Sequence, residues 1–320
     1  MAYRVINRTE YRYPSTVSAS FGELMMLPRD LPGQRCLRSA LTIEPEPGDL
    51  RERVDFFGNR ATYFAVLDPH TRLSVIADCL VRVRGRRAQP SSDPIGWEQA
   101  RDRVRGARGS GPGADLEALD ARQFVLNSPL VTLSTQLVDY ATASFKPELG
   151  LLDAVRGLAS RIHRDFEYLP GATQVTSTIE DVLRCRAGVC QDFAHLAIGC
   201  LRSLGLAARY VSGYLETRPP PGKPRLVGVD VSHAWFSVFL PGTGWVDMDP
   251  TNDQLVDDHY VTTAWGRDYT DVPPVKGVIF TQGDRQDLRV SVDVIPVSED
   301  GIVPEDAESS SDNEASVSEP

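Results

Sequence analysis

Cys190 stands in the run CRAGVCQDFAH, residues 185–195, directly after a Gly-Val pair and at the head of QDFAHLAIGCLRSLGL, which has helical periodicity. A cysteine in the first turn of a helix faces unpaired backbone N–H groups and the positive end of the helix dipole. Both favour a thiolate, the nucleophilic form of the side chain. The chemistry on offer is nucleophilic catalysis. It needs a base within hydrogen-bond reach of the sulfur and a third group to orient that base.

The chain has five histidines: His70, His163, His195, His233 and His259. His195 is nearest in sequence, but five residues of helix turn it roughly 140° away from Cys190, so it reads as a structural residue. His233 is the better base. It opens the strand-like run HAWFSVFL, where His233, Trp235, Ser237 and Phe239 share a face. After the turn PGTG comes GWVDMDPTND, which returns Asp247 and Asp249 alongside. A strand pair can hold a histidine beside a carboxylate rigidly. Register decides which one. With Leu240 paired to Trp245 across a four-residue loop, Asp249 would face Phe236 and point away from His233. A three-residue loop puts Asp249 opposite Trp235, diagonal to His233 and within reach. The three-residue loop is the expectation.

Taken in order, CRAGVCQDFAHL, SHAWFSVFLPGTGW and DMDPTN resemble the core of the transglutaminase-like superfamily. EYRYP and DFFGNRATYF resemble the N-terminal β region of its bacterial members, and AWGRDYTDVPPVKGV their C-terminal segment, so the likeness spans about residues 1–296. The resemblance implies an α+β, papain-like core in which a helix-borne Cys packs on an antiparallel sheet, with an N-terminal antiparallel β domain. It makes Cys190 the nucleophile, His233 the general base and acid, and Asp249 the orienting carboxylate; the DPT context favours Asp249 over Asp247. The implied reaction is acyl transfer on an amide through a thioester. Hydrolysis by a cysteine protease or amidase is the leading expectation. A protein-glutamine gamma-glutamyltransferase, which cross-links or transfers amines, is the rival, and a non-catalytic peptide-binding scaffold is the third reading.

Supporting roles follow from the same resemblance. The oxyanion is expected at the Cys190 N–H and one further donor that the sequence does not identify; Tyr168 in FEYLPGAT is a candidate, but reads first as a partly buried tyrosine. Gln191 faces either the cleft or solvent. Trp235 and Trp245 read as core aromatics of the hairpin, and in a papain-like cleft one of them could also shield the His–Asp hydrogen bond from water. Asp192 supports the helix start. Cys36, Cys79, Cys185 and Cys200 read as structural thiols, and Arg267 with Asp268 as an internal ion pair. Animal members use calcium, but no EF-hand pattern is present here, and C-x4-C-x4-H over Cys185, Cys190 and His195 is not a usual zinc spacing. No cofactor and no metal are expected; the substrate is a peptide, a protein or a small amide.

Composition sets the bounds. Hydrophobic residues make up 41% and charged residues 24%, so a sizeable core is expected. The whole chain carries a formal charge of −10, but of its 44 acids eight lie in 299–320 with no base among them, so the remainder, 36 acids against 34 bases, is near neutral. Such a balance does not suit nucleic acid, and no apolar run approaches a membrane span. The N-terminus interleaves charges where a secretory signal would be apolar, and five cysteines without a paired framework fit a reducing compartment; the expected location is cytoplasmic.

The elements that must position these residues are legible as patterns. Residues 1–85 read as an N-terminal β domain, 86–120 as a Pro/Gly/Ser-rich linker, 121–298 as the catalytic core with C-terminal strands, and 299–320 as an acidic disordered tail. Helices are expected over TLSTQLVDYATASF, over PELGLLDAVRGLASRIHRDFEY with Leu152, Val155, Leu158 and Ile162 on one face, and over TSTIEDVLRC. The prolyl tract 218–226 is expected to be a loop.

Overall fold

The computed structural model describes residues 1–85, 95–110, 115–217, 232–283 and 285–298. The first strands are β1 (Ala2–Leu24), β2 (Gln34–Glu44), β3 (Asp49–Val54), β4 (Arg60–Val66) and β5 (His70–Val83). Helices α1 (Trp97–Gly106), α2 (Leu116–Ala121), α3 (Thr135–Thr142) and α4 (Leu151–Asp165) follow, then β6 (Glu167–Tyr168), α5 (Ile179–Cys185), β7 (Ala187–Gly188) and α6 (Cys190–Ser203). The chain closes with β8 (Ala208–Leu215), β9 (Ser232–Leu240), β10 (Gly244–Asp249), β11 (Gln254–Leu255), β12 (Tyr260–Gly266), β13 (Val275–Thr281) and β14 (Asp287–Val297). The result is the α+β arrangement that the resemblance implies.

β1 organises the N-terminal sheet. Its first half, Ala2 to Arg12, lies between β5 and β14; its second half pairs with β4 and β13. The register with β5 shifts between Arg12 and Val17, around Pro14, which has no N–H to give the ladder. Strands β2 and β3 complete a seven-stranded sheet. One face buries Tyr3, Val5, Val75, Val81, Val292 and Val294 together with Tyr214 and Val261 of the second sheet, so the two sheets share a core.

Two boundaries differ from expectation. The C-terminal strands β13 and β14, placed with the catalytic core, pair with β1 instead. Alternation in LRVSVDVIPV specifies a strand with one apolar face, but not which sheet offers a free edge. The segment expected as a linker contains α1 and α2, because Ala100 and Val104, four residues apart, both turn into the core, as Ala118 and Ala121 do in α2. Residues 86–94, 111–114, the tract 218–226 and the acidic tail 299–320 lie outside the described residues.

The second sheet runs β11-β10-β9-β8-β12. Helix α6 packs against it and against α3, α4 and α5, and every residue from Asp192 to Arg202 is buried. A helix apolar all round belongs inside, and each buried Leu or Ile there contributes about 2 kcal/mol relative to exposure. In α4 the buried stripe is Leu151, Ala154, Val155, Leu158 and Ile162, one residue away from the expected Leu152 at its start. α5 begins with the expected cap: Thr178 and Asp181 exchange side-chain-to-backbone hydrogen bonds.

Candidate active site

Cys190 is the first residue of α6 and is partly exposed. The helix starts there because Val189 is extended and Asp192 turns back on it: Asp192 Oδ2 accepts the Val189 N–H at 2.8 Å. The same oxygen accepts the Thr173 hydroxyl at 2.6 Å, which ties the preceding loop to the helix start. Burial pushes the Asp192 pKa up, against these two hydrogen bonds. The parallel pair β6–β7 sets Tyr168 opposite Gly188, two residues before Cys190. Burial, then the charge of Cys190, raises the Tyr168 pKa, so the phenol stays protonated and able to donate.

The β9–β10 hairpin has the three-residue loop. Gly244 pairs with Leu240, Trp245 with Phe239 and Met248 with Phe236, which carries Asp249 to the level of Trp235. Gly244 has φ 95°, a left-handed conformation at the end of a short loop that glycine adopts without strain. The register brings His233 Nε2 to 2.7 Å from Asp249 Oδ2. Asp249 is fully buried and accepts five hydrogen bonds: from His233, the Tyr260 hydroxyl at 2.7 Å, Asn252 Nδ2 at 2.6 Å, and the backbone N–H groups of Thr251 and Asn252 at 2.8 and 3.2 Å.

Charge is distributed accordingly. Burial raises the Asp249 pKa, but the hydrogen bond and charge of His233, with Asn252 and Tyr260, outweigh it and hold the carboxyl below its ordinary range. Burial opposes charge on His233. The hydrogen bond that His233 donates to Asp249 and contact with Cys190 oppose burial and prevail, and its pKa is raised to about 10. Nε2 is committed to Asp249, so Nδ1 is the nitrogen left for Cys190. Trp235 is buried, 6.2 Å from the His233 ring and edge-on to Tyr260 at 5.3 Å. It lies this close because Gly213, directly opposite His233 on β8, has no side chain: a Cβ there would stand 2.1 Å from the Val261 carbonyl and 2.6 Å from the indole.

The other candidates separate. Trp245 does not shield the pair. It is four residues before Asp249, about 13 Å along the strand, and packs on Phe124, Phe239 and Arg209. Gln191 is partly exposed, and its amide donates to the Val175 carbonyl at 3.0 Å. His195 is buried away from the cleft, accepts the Tyr269 N–H, and burial pulls its pKa down to about 4. Arg267 pairs with Asp271 rather than Asp268, while Asp268 caps the following turn. Cys36 and Cys79 are neighbours across β2 and β5: contact with Cys79, aided by Arg60 and opposed by burial, brings the Cys36 pKa down to about 7. Among the described residues no cluster of His, Cys, Asp and Glu is arranged to hold a metal.

Asn252 and Tyr260 are the residues sequence reasoning missed. Asn252 had a signal, since Asp-Pro-Thr-Asn is a turn in which the aspartate accepts N–H groups two and three residues ahead. Tyr260 had none; it reaches Asp249 from the far strand of the sheet.

Comparison with known proteins agrees with this architecture. Residues 3–82 match the bacterial transglutaminase-like N-terminal region, and residues 135–250 match the transglutaminase-like superfamily. The chain belongs to the transglutaminase-like superfamily. An uncharacterized protein of Mycobacterium tuberculosis is 43% identical over 309 residues, 94% of each chain, and one of Mycobacterium leprae 33% identical over 298 residues, 91% of this chain and 97% of that one. The crystal structure of a Cytophaga hutchinsonii protein, described as a candidate cysteine protease, superposes with a TM-score of 0.68 at 21% identity, covering 93% of this chain and 92% of that one. That likeness extends the shared fold over both sheets of this transglutaminase-like protein. No helix among its described residues is long and apolar enough to cross a membrane.

Proposed function

We propose that this transglutaminase-like protein uses Cys190, His233 and Asp249 to move an acyl group from an amide to water, as a cysteine protease or amidase. Cys190 Sγ attacks the carbonyl carbon, and the Cys190 N–H with the Tyr168 hydroxyl holds the oxyanion. His233 gives its proton to the leaving amine as the C–N bond breaks, leaving a thioester. It then takes a proton from water as the thioester is hydrolysed, and Cys190 is restored.

The observation that carries this reading is the buried carboxylate of Asp249. With five donors it stays ionised, fixes His233 through Nε2 and turns Nδ1 toward Cys190. Trp235 and Tyr260 keep water from that hydrogen bond.

Transfer to an amine is the second reading. A Pseudomonas aeruginosa protein-glutamine gamma-glutamyltransferase is 34% identical over 92 residues, 28% of this chain and 14% of that protein. The two outcomes share the thioester and diverge at its resolution. Incubation with a library of glutaminyl and C-terminally amidated peptides, with and without hydroxylamine, separates them. Free acid in both conditions is expected; hydroxamate displacing acid at low hydroxylamine would favour the transferase. Turnover retained in Cys190→Ala would remove catalysis at this cysteine; no turnover by the native protein and no labelling of Cys190 by a thiol-directed amide mimic would leave the scaffold reading. No step as written uses a metal, so activity is expected to survive excess chelator; its loss would contradict the scheme.

A further inference from the structure

A cavity of about 760 Å³ lies between the N-terminal sheet region, α2 and the loop end of the β9–β10 hairpin. That volume is ordinary for a small-molecule site. Phe56, Phe57, Phe124, Trp245 and Trp265 are its aromatic lining residues among those described, and Arg209 is the one basic lining residue among them. Neither Cys190 nor His233 lines it.

Arg209 is the unusual member. Its side chain is 7% exposed, with the guanidinium carbon 4.1 Å from the centre of Trp245 and 3.8 Å from that of Trp265. Arg29 covers Trp265 as well, at 3.2 Å, and the two cations must take opposite faces of the indole. Arg29 donates to Phe57 O and Asn59 Oδ1. Among the described residues nothing accepts a hydrogen bond from Arg209, and its Nε is sealed from solvent without a partner.

Another buried arginine in this chain shows what is missing. Arg202 donates to the carbonyls of Leu126, Ala208 and Arg267 and to the Ser128 hydroxyl. That is the usual arrangement, since an unpaired buried charge costs several kcal/mol. Stacking on indoles offsets part of the charge of Arg209 but supplies no acceptor in the guanidinium plane. Asp120 and Asp247 also line the cavity; their charges act on Arg209, but among the described residues neither accepts a hydrogen bond from it. Their charges disfavour a polyanion, whereas the aromatic walls favour a body that is largely apolar.

We infer that this cavity is a second binding site, taking a small organic monocarboxylate with an aromatic or apolar body, its carboxylate on Arg209 and its body against Phe56, Phe124 and Trp245. The site is independent of the acyl-transfer reading and is tested without turnover. The probes are 3-phenylpropionate and the neutral 3-phenylpropan-1-ol, neither of which contains an amide. Binding to the full chain is followed by Trp fluorescence and by calorimetry.

Saturable binding of the acid is expected, on the order of millimolar or tighter, with at least a roughly tenfold preference over the alcohol because a charge-assisted pair is made. Arg209→Met should abolish the preference while the thermal midpoint holds or rises, since a buried guanidinium without a hydrogen-bond acceptor among the described residues is removed. Phe56→Ser, at a position 82% exposed, should weaken both probes without unfolding the protein. Equal affinity for acid and alcohol, no saturable binding of the acid, or a preference that survives in Arg209→Met would each overturn the inference.

Discussion

Tyr260 gives its hydroxyl proton to Asp249 Oδ2 at 2.7 Å, the same oxygen that His233 Nε2 reaches at 2.7 Å. The phenol in turn accepts from Gln254 Nε2 at 2.6 Å, so its proton has one direction in which to point. Tyr260 is therefore a positioning residue that shares the charge of Asp249 with the histidine. In Tyr260→Phe that charge falls more fully on His233. The alkaline limb of the kcat/KM profile should move up in pH, with kcat reduced about tenfold and stability lowered by about 1 kcal/mol. A stability loss with an unmoved limb would reduce Tyr260 to a packing role.

The pH dependence of the native protein follows from His233. Its folded pKa is raised from 6.5 to about 10, so the stability it contributes is fully present below pH 6.5 and is lost as pH rises through about 10. Asp249 has a depressed pKa, so its contribution is present above the ordinary carboxyl range and is lost as pH falls through the folded value. Activity is expected to hold through neutrality and to fall near pH 10 as the imidazolium disappears. Asp249→Asn should flatten both stability limbs in urea unfolding and reduce kcat by about 10³ to 10⁴. An alkaline limb near pH 7 in the native protein would contradict the raised pKa.

The residues legible in the sequence are those whose positions are set by local rules. Helix periodicity separated His195 from Cys190, and a two-residue strand period with a loop length was enough to place Asp249 beside His233. Local rules fail where a partner comes from a distant segment. Nothing in LRVSVDVIPV says that it will lie along Ala2 to Arg12, and nothing in DHYVTTAWG says that Tyr260 will touch Asp249. Gln191 and Trp245 were open for the same reason. Their partners, Val175 O and the Phe124–Arg209 group, are set by how loops and α2 fold over the sheet.

Gly213 limits how the site can vary. Its missing side chain leaves room for the Val261 carbonyl and the Trp235 indole, which a Cβ would meet at 2.1 and 2.6 Å. Gly213→Ala should cost about 3 kcal/mol and lower activity beyond that loss by displacing Trp235 from His233. Trp235→Phe in the Gly213→Ala background should recover part of the stability, because the smaller ring vacates the contested space and the unpartnered indole N–H is removed. Additive losses in the double variant would show that the clash lies with Val261 alone.

Asp192 links the start of α6 at Cys190 to the loop in front of it. One buried carboxylate oxygen takes both the Val189 N–H, which would otherwise be an orphan of the helix start, and the Thr173 hydroxyl. Asp192→Ala removes both bonds and should cost about 2 kcal/mol. Cys190 then frays with the first turn, and kcat should fall more than the lost stability accounts for. Thr173→Val removes only the loop tether, for about 1 kcal/mol, and should speed hydrogen exchange at residues 170–177 while sparing kcat. Asp192→Asn decides what the carboxylate contributes. Burial raises the Asp192 pKa, so its charge is a cost and becomes a larger one as pH rises through the folded value. The amide keeps an acceptor for Val189, so Asp192→Asn should be near neutral in stability and flatter with pH than the native protein. If it lost as much as Asp192→Ala, the negative charge rather than the hydrogen bond would be what holds the start of α6.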